Sequence, residues 1–316
     1  MPSALADYQL DKKIRNSMRE LIQRGIFGIV FLLFVFAPFV LDLKNSTNLF
    51  NLTLYVFVML STYELFKMGK GTAFPSNLML PAMLFNTALF LPMLIVTIKG
   101  LFPELPLNSI LMAPENGDLV FKLVIIGTIL VVLSLIIFTS LIFVKGSVEA
   151  IYKFVFPLNI LYIAVPFALL SVAYTLSPKE YKQLLLLALL PIYLNDTFAY
   201  LSGRLFGKRL MFPRVSPKKT WEGFIGGMLI AAIVMATLLY FNRTELTTNK
   251  DYLLIAIVSC LVSILATLGD LFESKLKRTA NVKDSGGILP GHGGILDRID
   301  AMLFAAPIMF VILILA

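Results

Sequence analysis

Carboxylates, glycines and cations crowd into residues 266–300, which read ATLGDLFESKLKRTANVKDSGGILPGHGGILDRID. Carboxylates are ligands of Mg2+, cations neutralise charge on a transferring phosphate, and a glycine-rich backbone can turn its amides toward an anion. The sequence contains no Walker A pattern. The segment therefore indicates phosphate chemistry at a metal-bound polyphosphate, with the candidate residues Asp270, Ser274, Lys277, Arg278, Lys283, Asp284, His292, Gly293, Gly294, Asp297, Arg298 and Asp300.

Asp270 lies where a long apolar run ends, which places its carboxylate at the membrane surface. If that helix continues, Glu273, Ser274 and Lys277 share one face with it through i,i+3 and i,i+4 spacing. Asp284 follows after a short loop and precedes the glycine-rich stretch. By position, we expect Asp270 and Asp284 to be the metal ligands.

Structural roles compete with these assignments. Asp297 could be the N-cap of the last helix, and Asp300 could complement its dipole. Lys275, Lys277 and Arg278 could anchor a helix end at the cytoplasmic surface. His292 stands between two glycines and has no apolar face to support, which favours a functional role.

A second segment, 195–223, carries Asp196 inside an apolar run, and an ionisable residue there indicates function by default. Ser216 followed by proline is typical of an N-cap and first helical position. Lys218 and Lys219 would then occupy the first turn, where the helix dipole disfavours cations. A bound phosphate would remove that conflict, since helix N-termini bind anions. We therefore expect the substrate-binding residues to include Asp196, Ser216, Lys218 and Lys219.

The elements that must position these residues are membrane helices. The 316 residues are 58% apolar and 15% charged, with a mean hydropathy of +0.87, against about 45–50% and 25% in soluble domains. Soluble and disordered chains are therefore excluded. Cys260 and His292 are each the only residue of their type, which excludes disulfides and metal sites built from several cysteines or histidines. The net charge of +8 is more typical of basic loops beside anionic lipid than of nucleic-acid binding.

The apolar runs predict an all-α polytopic membrane protein of about nine spanning helices, each needing about 20 residues. With the N-terminus cytoplasmic, 20 of the 27 basic residues fall on the inside, as the positive-inside rule requires. We predict a cytoplasmic segment 1–24, scaffold helices 25–182, and a catalytic region 183–316 with cytoplasmic loops 203–221 and 271–298. The runs lie near 25–43, 48–66, 77–98, 119–144, 154–175, 183–202, 222–241, 252–270 and 299–316.

The candidate residues form a pattern that reads Ser-x-aliphatic-Lys-Arg, four residues, Lys-Asp, a glycine-containing stretch, then His-Gly-Gly-aliphatic-x-Asp-Arg-aliphatic-Asp. In this pattern the chain resembles the CDP-diacylglycerol synthases, also called phosphatidate cytidylyltransferases. The stretch from Asp196 to Gly223 is similar to that family's second motif, and the two together cover roughly 190–300. The signature positions here are Ser274, Leu276, Lys277, Arg278, Lys283, Asp284, Gly286, His292, Gly293, Gly294, Ile295, Asp297, Arg298, Ile299 and Asp300.

The resemblance implies transfer of the cytidylyl group of CTP to phosphatidate in the bilayer, giving CDP-diacylglycerol and pyrophosphate for phospholipid biosynthesis. It implies Mg2+ at Asp270 and Asp284, allows a second, monovalent cation, and points to the bacterial inner membrane with the active site facing the cytoplasm. Substrate would contact Ser274, Gly293 and Gly294. The expected catalytic residues are Lys277, Arg278, Lys283, His292, Asp297, Arg298 and Asp300.

Two alternatives stay open at this point. CTP-dependent transfer to another lipid, an archaeal ether lipid or a polyprenol, would use the same site. A transporter with Asp196 and Asp270 in an ion path predicts ionisable residues spread through several helices, whereas here they crowd into two loops. The residues leave the oligomeric state, including a homodimer, undecided and indicate no nucleic-acid partner.

Overall fold

A computed structural model describes most of the chain. Residues 26, 28–31, 33 and 35 are also described. The continuous described ranges are 47–69, 76–101, 117–146, 150–176, 182–241, 249–289 and 293–315.

The described chain is mostly helical, as long apolar sequences must be where lipid leaves backbone groups no other hydrogen-bond partner. Within the described ranges, the predicted apolar runs from 48–66 onward each coincide with helical structure, whereas the first run, 25–43, lies largely outside them. A π-helical segment, Asn159–Ala164, lies between the helices Val155–Leu158 and Val165–Leu176. The helices are α1 (Thr47–Met68), α2 (Met79–Leu101), α3 (Gly117–Phe143), α4 (Ala150–Lys153), α5 (Val155–Leu158), α6 (Val165–Leu176), α7 (Lys182–Phe206), α8 (Trp221–Phe241), α9 (Asn249–Thr279) and α10 (Leu296–Leu315).

Large apolar side chains cover the outside of the helices. On α3, Ile129, Ile136 and Ile137 are each more than half exposed, which is a surface that water disfavours and lipid accepts. The chain is therefore an integral membrane protein. By length and composition, the segments of the described chain that can cross a bilayer are Leu49–Met68, Ile125–Phe143, Val155–Thr175, Trp221–Phe241 and Asp251–Thr279.

The all-α prediction is wrong at one place, because a short antiparallel hairpin follows α7. Strands β1 (Leu210–Phe212) and β2 (Ser216–Thr220) pair through a register irregularity. The Phe212 carbonyl accepts the Val215 N–H at 3.0 Å. Pro213 stands directly after Phe212 in this turn, where its fixed φ suits the first central position. The predicted loop 203–221 is thus the end of α7 followed by this hairpin.

The predicted helix start at Ser216 is also wrong. Helix α8 begins only after Thr220, whose Oγ1 accepts the Gly223 N–H at 3.1 Å and so performs the capping role. Lys218 and Lys219 lie on β2, before the cap, so the expected conflict with the helix dipole does not arise.

Aromatic side chains form the core beneath the site. The ring of Phe272, on α9, stacks on Phe138 of α3 at 4.7 Å and meets Tyr162 of the π-helical segment edge-on at 5.0 Å. Phe304 of α10 lies 5.8 Å from the same ring. These contacts hold α3, α9 and α10 together within one helical turn of Asp270.

Glycines allow the helices that carry the candidate carboxylates to approach closely. A Cβ at Gly227 of α8 would lie 2.7 Å from the Asn195 carbonyl of α7, next to Asp196. A Cβ at Gly269 of α9 would overlap the Asp300 carbonyl of α10. Small residues at such crossings are typical of membrane helix packing. The first crossing packs α8 against the helix that carries Asp196, and the second brings together the helices that carry Asp270 and Asp300.

Candidate active site

Helix α9 continues past the apolar run to Thr279, so the predicted shared face is confirmed. The Ser274 hydroxyl donates to Asp270 Oδ1 at 3.3 Å, and Lys277 forms an ion pair with Glu273. The predicted loop 271–298 is therefore shorter than expected, because α9 extends to Thr279 and α10 begins at Leu296.

The hairpin and α9 meet in an ion pair that the sequence did not predict. Lys219 Nζ lies 2.6 Å from Asp270 Oδ2. This contact closes one side of a cavity of about 450 Å3, here called the hairpin cavity. Five predicted site residues line it, namely Asp196, Ser216, Lys218, Lys219 and Asp270.

A smaller cavity of about 240 Å3, here called the carboxylate cavity, lies against α10 and shares Asp196 with the hairpin cavity. Asp297, Arg298 and Asp300 also line it. Asp196, Asp270 and Asp300 repel one another electrostatically, while Lys219 and Arg298 attract Asp196. Negative charge is thus concentrated where the two cavities adjoin.

Lys277 and Asp297 form the buried centre of the signature segment. Lys277 Nζ donates to Asp297 Oδ1 at 2.5 Å, and the other oxygen, Oδ2, accepts the backbone N–H groups of Ser285 at 2.9 Å and Gly294 at 2.8 Å. Asp297 is therefore a bridge between α9 and the loop rather than an N-cap. Burial raises its pKa, but Lys277 and the backbone donors outweigh burial and hold the pKa below its ordinary value.

The glycines before α10 make this bridge possible. Gly293 has φ +84°, a conformation that side chains disfavour, and a Cβ there would lie 2.7 Å from Asp297 Oδ2. The glycine-rich backbone does turn an amide toward an anion, as expected. For Gly294, that anion is the carboxylate of Asp297 itself.

Glu64 is a residue of the site that sequence reasoning missed. This fully buried carboxylate of α1 accepts the Leu296 N–H at 2.9 Å and the Ser285 hydroxyl at 3.2 Å. Cβ atoms at Gly286 or Gly294 would overlap its side chain. A lone glutamate inside an apolar run was the available signal, because ionisable residues in spanning segments mark functional positions.

Several signature residues lie apart from the two cavities. Arg278 is exposed and donates to the Val282 carbonyl at 3.2 Å. Lys283 and Asp284 are exposed and line neither cavity. His292 lies outside the described residues.

The carboxylates of the site are the side chains that could bind Mg2+. Within the described part of the chain, no three carboxylate, histidine or cysteine side chains lie at metal-binding spacing. Asp196 and Asp270 both line the hairpin cavity. Mg2+ usually keeps several waters and takes one or two protein carboxylates together with phosphate oxygens. Two carboxylates that line the same cavity fit that requirement.

Comparisons with known proteins identify the family to which this chain is similar. Residues 22–316 match the family model described as "Cytidylyltransferase family". A protein of Staphylococcus haemolyticus (strain JCSC1435), named phosphatidate cytidylyltransferase, is 36% identical over 228 residues, covering 70% of this chain and 81% of that protein. Proteins of the same name from Staphylococcus epidermidis and Staphylococcus aureus (strain COL) are 34% identical over 227 residues and 43% over 156 residues. They cover 69% and 47% of this chain, and 80% and 58% of those proteins. The chain belongs to the cytidylyltransferase family.

Proposed function

We propose that this chain transfers the cytidylyl group of CTP to phosphatidate, giving CDP-diacylglycerol and pyrophosphate. Relatives that cover most of the chain carry the name phosphatidate cytidylyltransferase. The observation that carries the proposal is the hairpin cavity, where Lys218, Lys219, Asp196 and Asp270 come together in a membrane protein. Cations beside carboxylates are the groups that bind and neutralise a metal-bound polyphosphate.

The chemistry requires little proton transfer, because the phosphate of phosphatidate is already anionic. One of its oxygens forms a bond to the α-phosphorus of CTP, and the bond from that phosphorus to the bridging oxygen breaks as pyrophosphate leaves. Lys219 uses one of its three donors on Asp270 and has others for phosphate oxygens. Arg298, in the adjoining cavity, adds a further positive charge to those of Lys218 and Lys219.

Mg2+, when bound, would supply charge neutralisation on the phosphate oxygens. Asp196 and Asp270 are the residues that would hold it, since both line the hairpin cavity. Asp284, the other ligand expected from the sequence, stays a prediction, as does a second, monovalent cation. The buried Lys277–Asp297 ion pair and Glu64 keep the start of α10 in place beside these carboxylates.

The excess of basic residues on one side of the predicted helices supports a proposal for how the chain is oriented in the membrane. We propose about nine spanning helices, a cytoplasmic N-terminus, and a site that faces the cytoplasm of the bacterial inner membrane. CTP would enter from the cytoplasm and the lipid from the bilayer.

The test of function is turnover of radiolabelled CTP by the purified protein with Mg2+ in detergent. We expect label in a lipid product with phosphatidate as the acceptor. An archaeal ether lipid and a polyprenol serve as competing acceptors. If either of these lipids is labelled in preference to phosphatidate, that lipid is the substrate instead. If none of the acceptors yields a labelled lipid, the proposed function is refuted.

A further inference from the structure

A third cavity, of about 490 Å3, lies where the end of α3, the hairpin turn and the end of α9 meet. We call it the basic pocket. Its lining includes four cations, Lys145, Arg214, Lys275 and Arg278. Among the described residues that line it there is no carboxylate. It differs from the hairpin cavity, where Asp196 and Asp270 face the lysines.

The cations of the basic pocket are held close together without a compensating anion in its lining. Lys275 is 6% exposed and donates to the carbonyls of Val144 at 2.8 Å and Gly146 at 2.5 Å. These two bonds fix the amine at the end of α3 and leave one of its three donors. Arg214 is close enough to repel it. An anion in the pocket would relieve this repulsion and accept a hydrogen bond from the remaining N–H of Lys275.

The wall of the basic pocket is apolar and continues onto the lipid-facing surface of α3. Phe143 lines the pocket, packs edge-on against Phe212 of the hairpin at 5.2 Å, and remains 65% exposed. Ile136 and Ile137, about two turns earlier on α3, are each 59% exposed. A ligand that combines a negative headgroup with hydrocarbon chains matches both parts of this surface.

We propose that the basic pocket binds the phosphate headgroup of an anionic diacyl phospholipid that is not the substrate, with its acyl chains along α3. This goes beyond the proposed reaction, because the basic pocket shares only Met211 with the lining of the hairpin cavity and contains none of its carboxylates or lysines. A headgroup there would connect Arg214, in the hairpin turn, to Lys275 and Arg278 on α9. It would thereby stabilise the hairpin that presents Lys219 to Asp270.

The test measures lipid binding without CTP, by native mass spectrometry of the full chain in neutral detergent. Phosphatidylglycerol is titrated against phosphatidylcholine, with inorganic phosphate as a competitor. The variant Lys145→Gln/Arg214→Gln removes two exposed cations of the pocket, and Lys67→Gln/Lys153→Gln removes two exposed cations elsewhere. We expect the pocket variant to bind phosphatidylglycerol at least about tenfold more weakly, since charge-assisted hydrogen bonds are lost, and the control variant to bind as the unmodified protein does.

The proposal also requires that cytidylyl transfer in neutral detergent keep its KM for phosphatidate and CTP in the pocket variant. Equal phosphatidylglycerol affinity in both variants would overturn the proposal. Binding of inorganic phosphate as tight as that of phosphatidylglycerol would also overturn it, because the pocket would then be a free-phosphate site. A raised KM for phosphatidate in the pocket variant would overturn it as well, because the pocket would then be a substrate site. Arg214→Lys keeps the charge and should retain binding, which separates charge loss from misfolding. Binding is measured without turnover, so a failure of the proposed reaction would leave this result intact.

Discussion

At the scale of single residues, the site is organised by pairs of opposite charge that come from different elements. Lys219 of the hairpin meets Asp270 of α9, and Lys277 of α9 meets Asp297 of α10. The first pair is about one-third exposed and faces a cavity, whereas the second is nearly buried. An exposed pair contributes little to stability and is free to exchange partners. We therefore assign substrate contact to Lys219 and a positioning role to Lys277.

The first prediction concerns Lys219→Gln. We expect kcat/KM to fall roughly 10- to 100-fold, because a charge-assisted hydrogen bond to phosphate is worth about 1.5–3 kcal/mol. Lys208→Gln is the matched control, since the Lys208 side chain is exposed and only its backbone N–H bonds Glu222. Steady-state kinetics of both variants decide the matter. Equal losses in the two variants would mean that Lys219 acts only through general surface charge.

The second prediction concerns the metal ligands. We expect Asp196→Asn to raise the Mg2+ concentration for half-maximal turnover by at least about tenfold, given that even losing an outer partner of a metal site costs 10- to 100-fold. Asp284→Asn tests the ligand expected from the sequence in the same titration. Asp251→Asn, near the opposite end of α9, is the control. If Asp284→Asn raises this Mg2+ concentration and Asp196→Asn does not, the metal ligand is Asp284 in the loop rather than Asp196.

At the scale of elements, the start of α10 is held from three sides. Glu64 reaches it from α1, Lys277 from α9, and Ser285 from the intervening loop. Glu64 thus ties the predicted scaffold to the predicted catalytic region. The hydrogen bonds fix Ser285, Gly294 and Leu296 of this glycine-rich segment.

The third prediction concerns Glu64 as a positioning residue. Glu64→Ala leaves the buried Leu296 N–H without its acceptor, and each such loss costs about 1–3 kcal/mol. We expect a lower melting temperature and a reduced kcat with little change in KM. Glu64→Gln keeps an acceptor oxygen and should preserve most of both properties. If Glu64→Gln is as damaging as Glu64→Ala, the negative charge rather than the hydrogen bond matters.

The fourth prediction concerns the crossing of α9 and α10. Gly269→Ala would push a methyl group into the Asp300 carbonyl, and we expect a loss of about 1–3 kcal/mol in stability as in other overpacked cores. Turnover should fall as well, because Asp270 is the next residue. Gly127→Ala on α3 is the control, since no atom lies within 4 Å of a Cβ there. Thermal melts in detergent compare the two, and equal melting temperatures would contradict the close approach.

At the scale of the whole molecule, orientation in the membrane decides which side supplies CTP. Our fifth prediction is that Gly287 faces the cytoplasm and Phe241 the opposite side. Both positions are exposed, and Cys260→Ala removes the single native cysteine. An impermeant maleimide applied to intact cells should label Phe241→Cys and should label Gly287→Cys only after lysis. Labelling of Gly287→Cys from outside would refute the proposed topology.

The sequence by itself determined the features that depend on local spacing. Long apolar runs predict helices, since lipid offers the backbone no other hydrogen-bond partner, and the described helices follow those runs. Ser274 stands four residues after Asp270, so a continuing helix had to bring them together. The signature residues identified the family for the same reason, because a motif is a property of neighbouring positions.

Only the tertiary structure decided which distant residues meet. Asp297 lies 20 positions from Lys277, and Leu296 lies 232 positions from Glu64. Such contacts depend on how helices cross, and the crossings depend on glycines such as Gly269, whose packing partner is not evident along the chain. The hairpin was missed for a related reason: a serine followed by proline suits a helix start and a strand start equally. The choice between the two was made by Thr220, which caps α8, and by the pairing of β2 with β1.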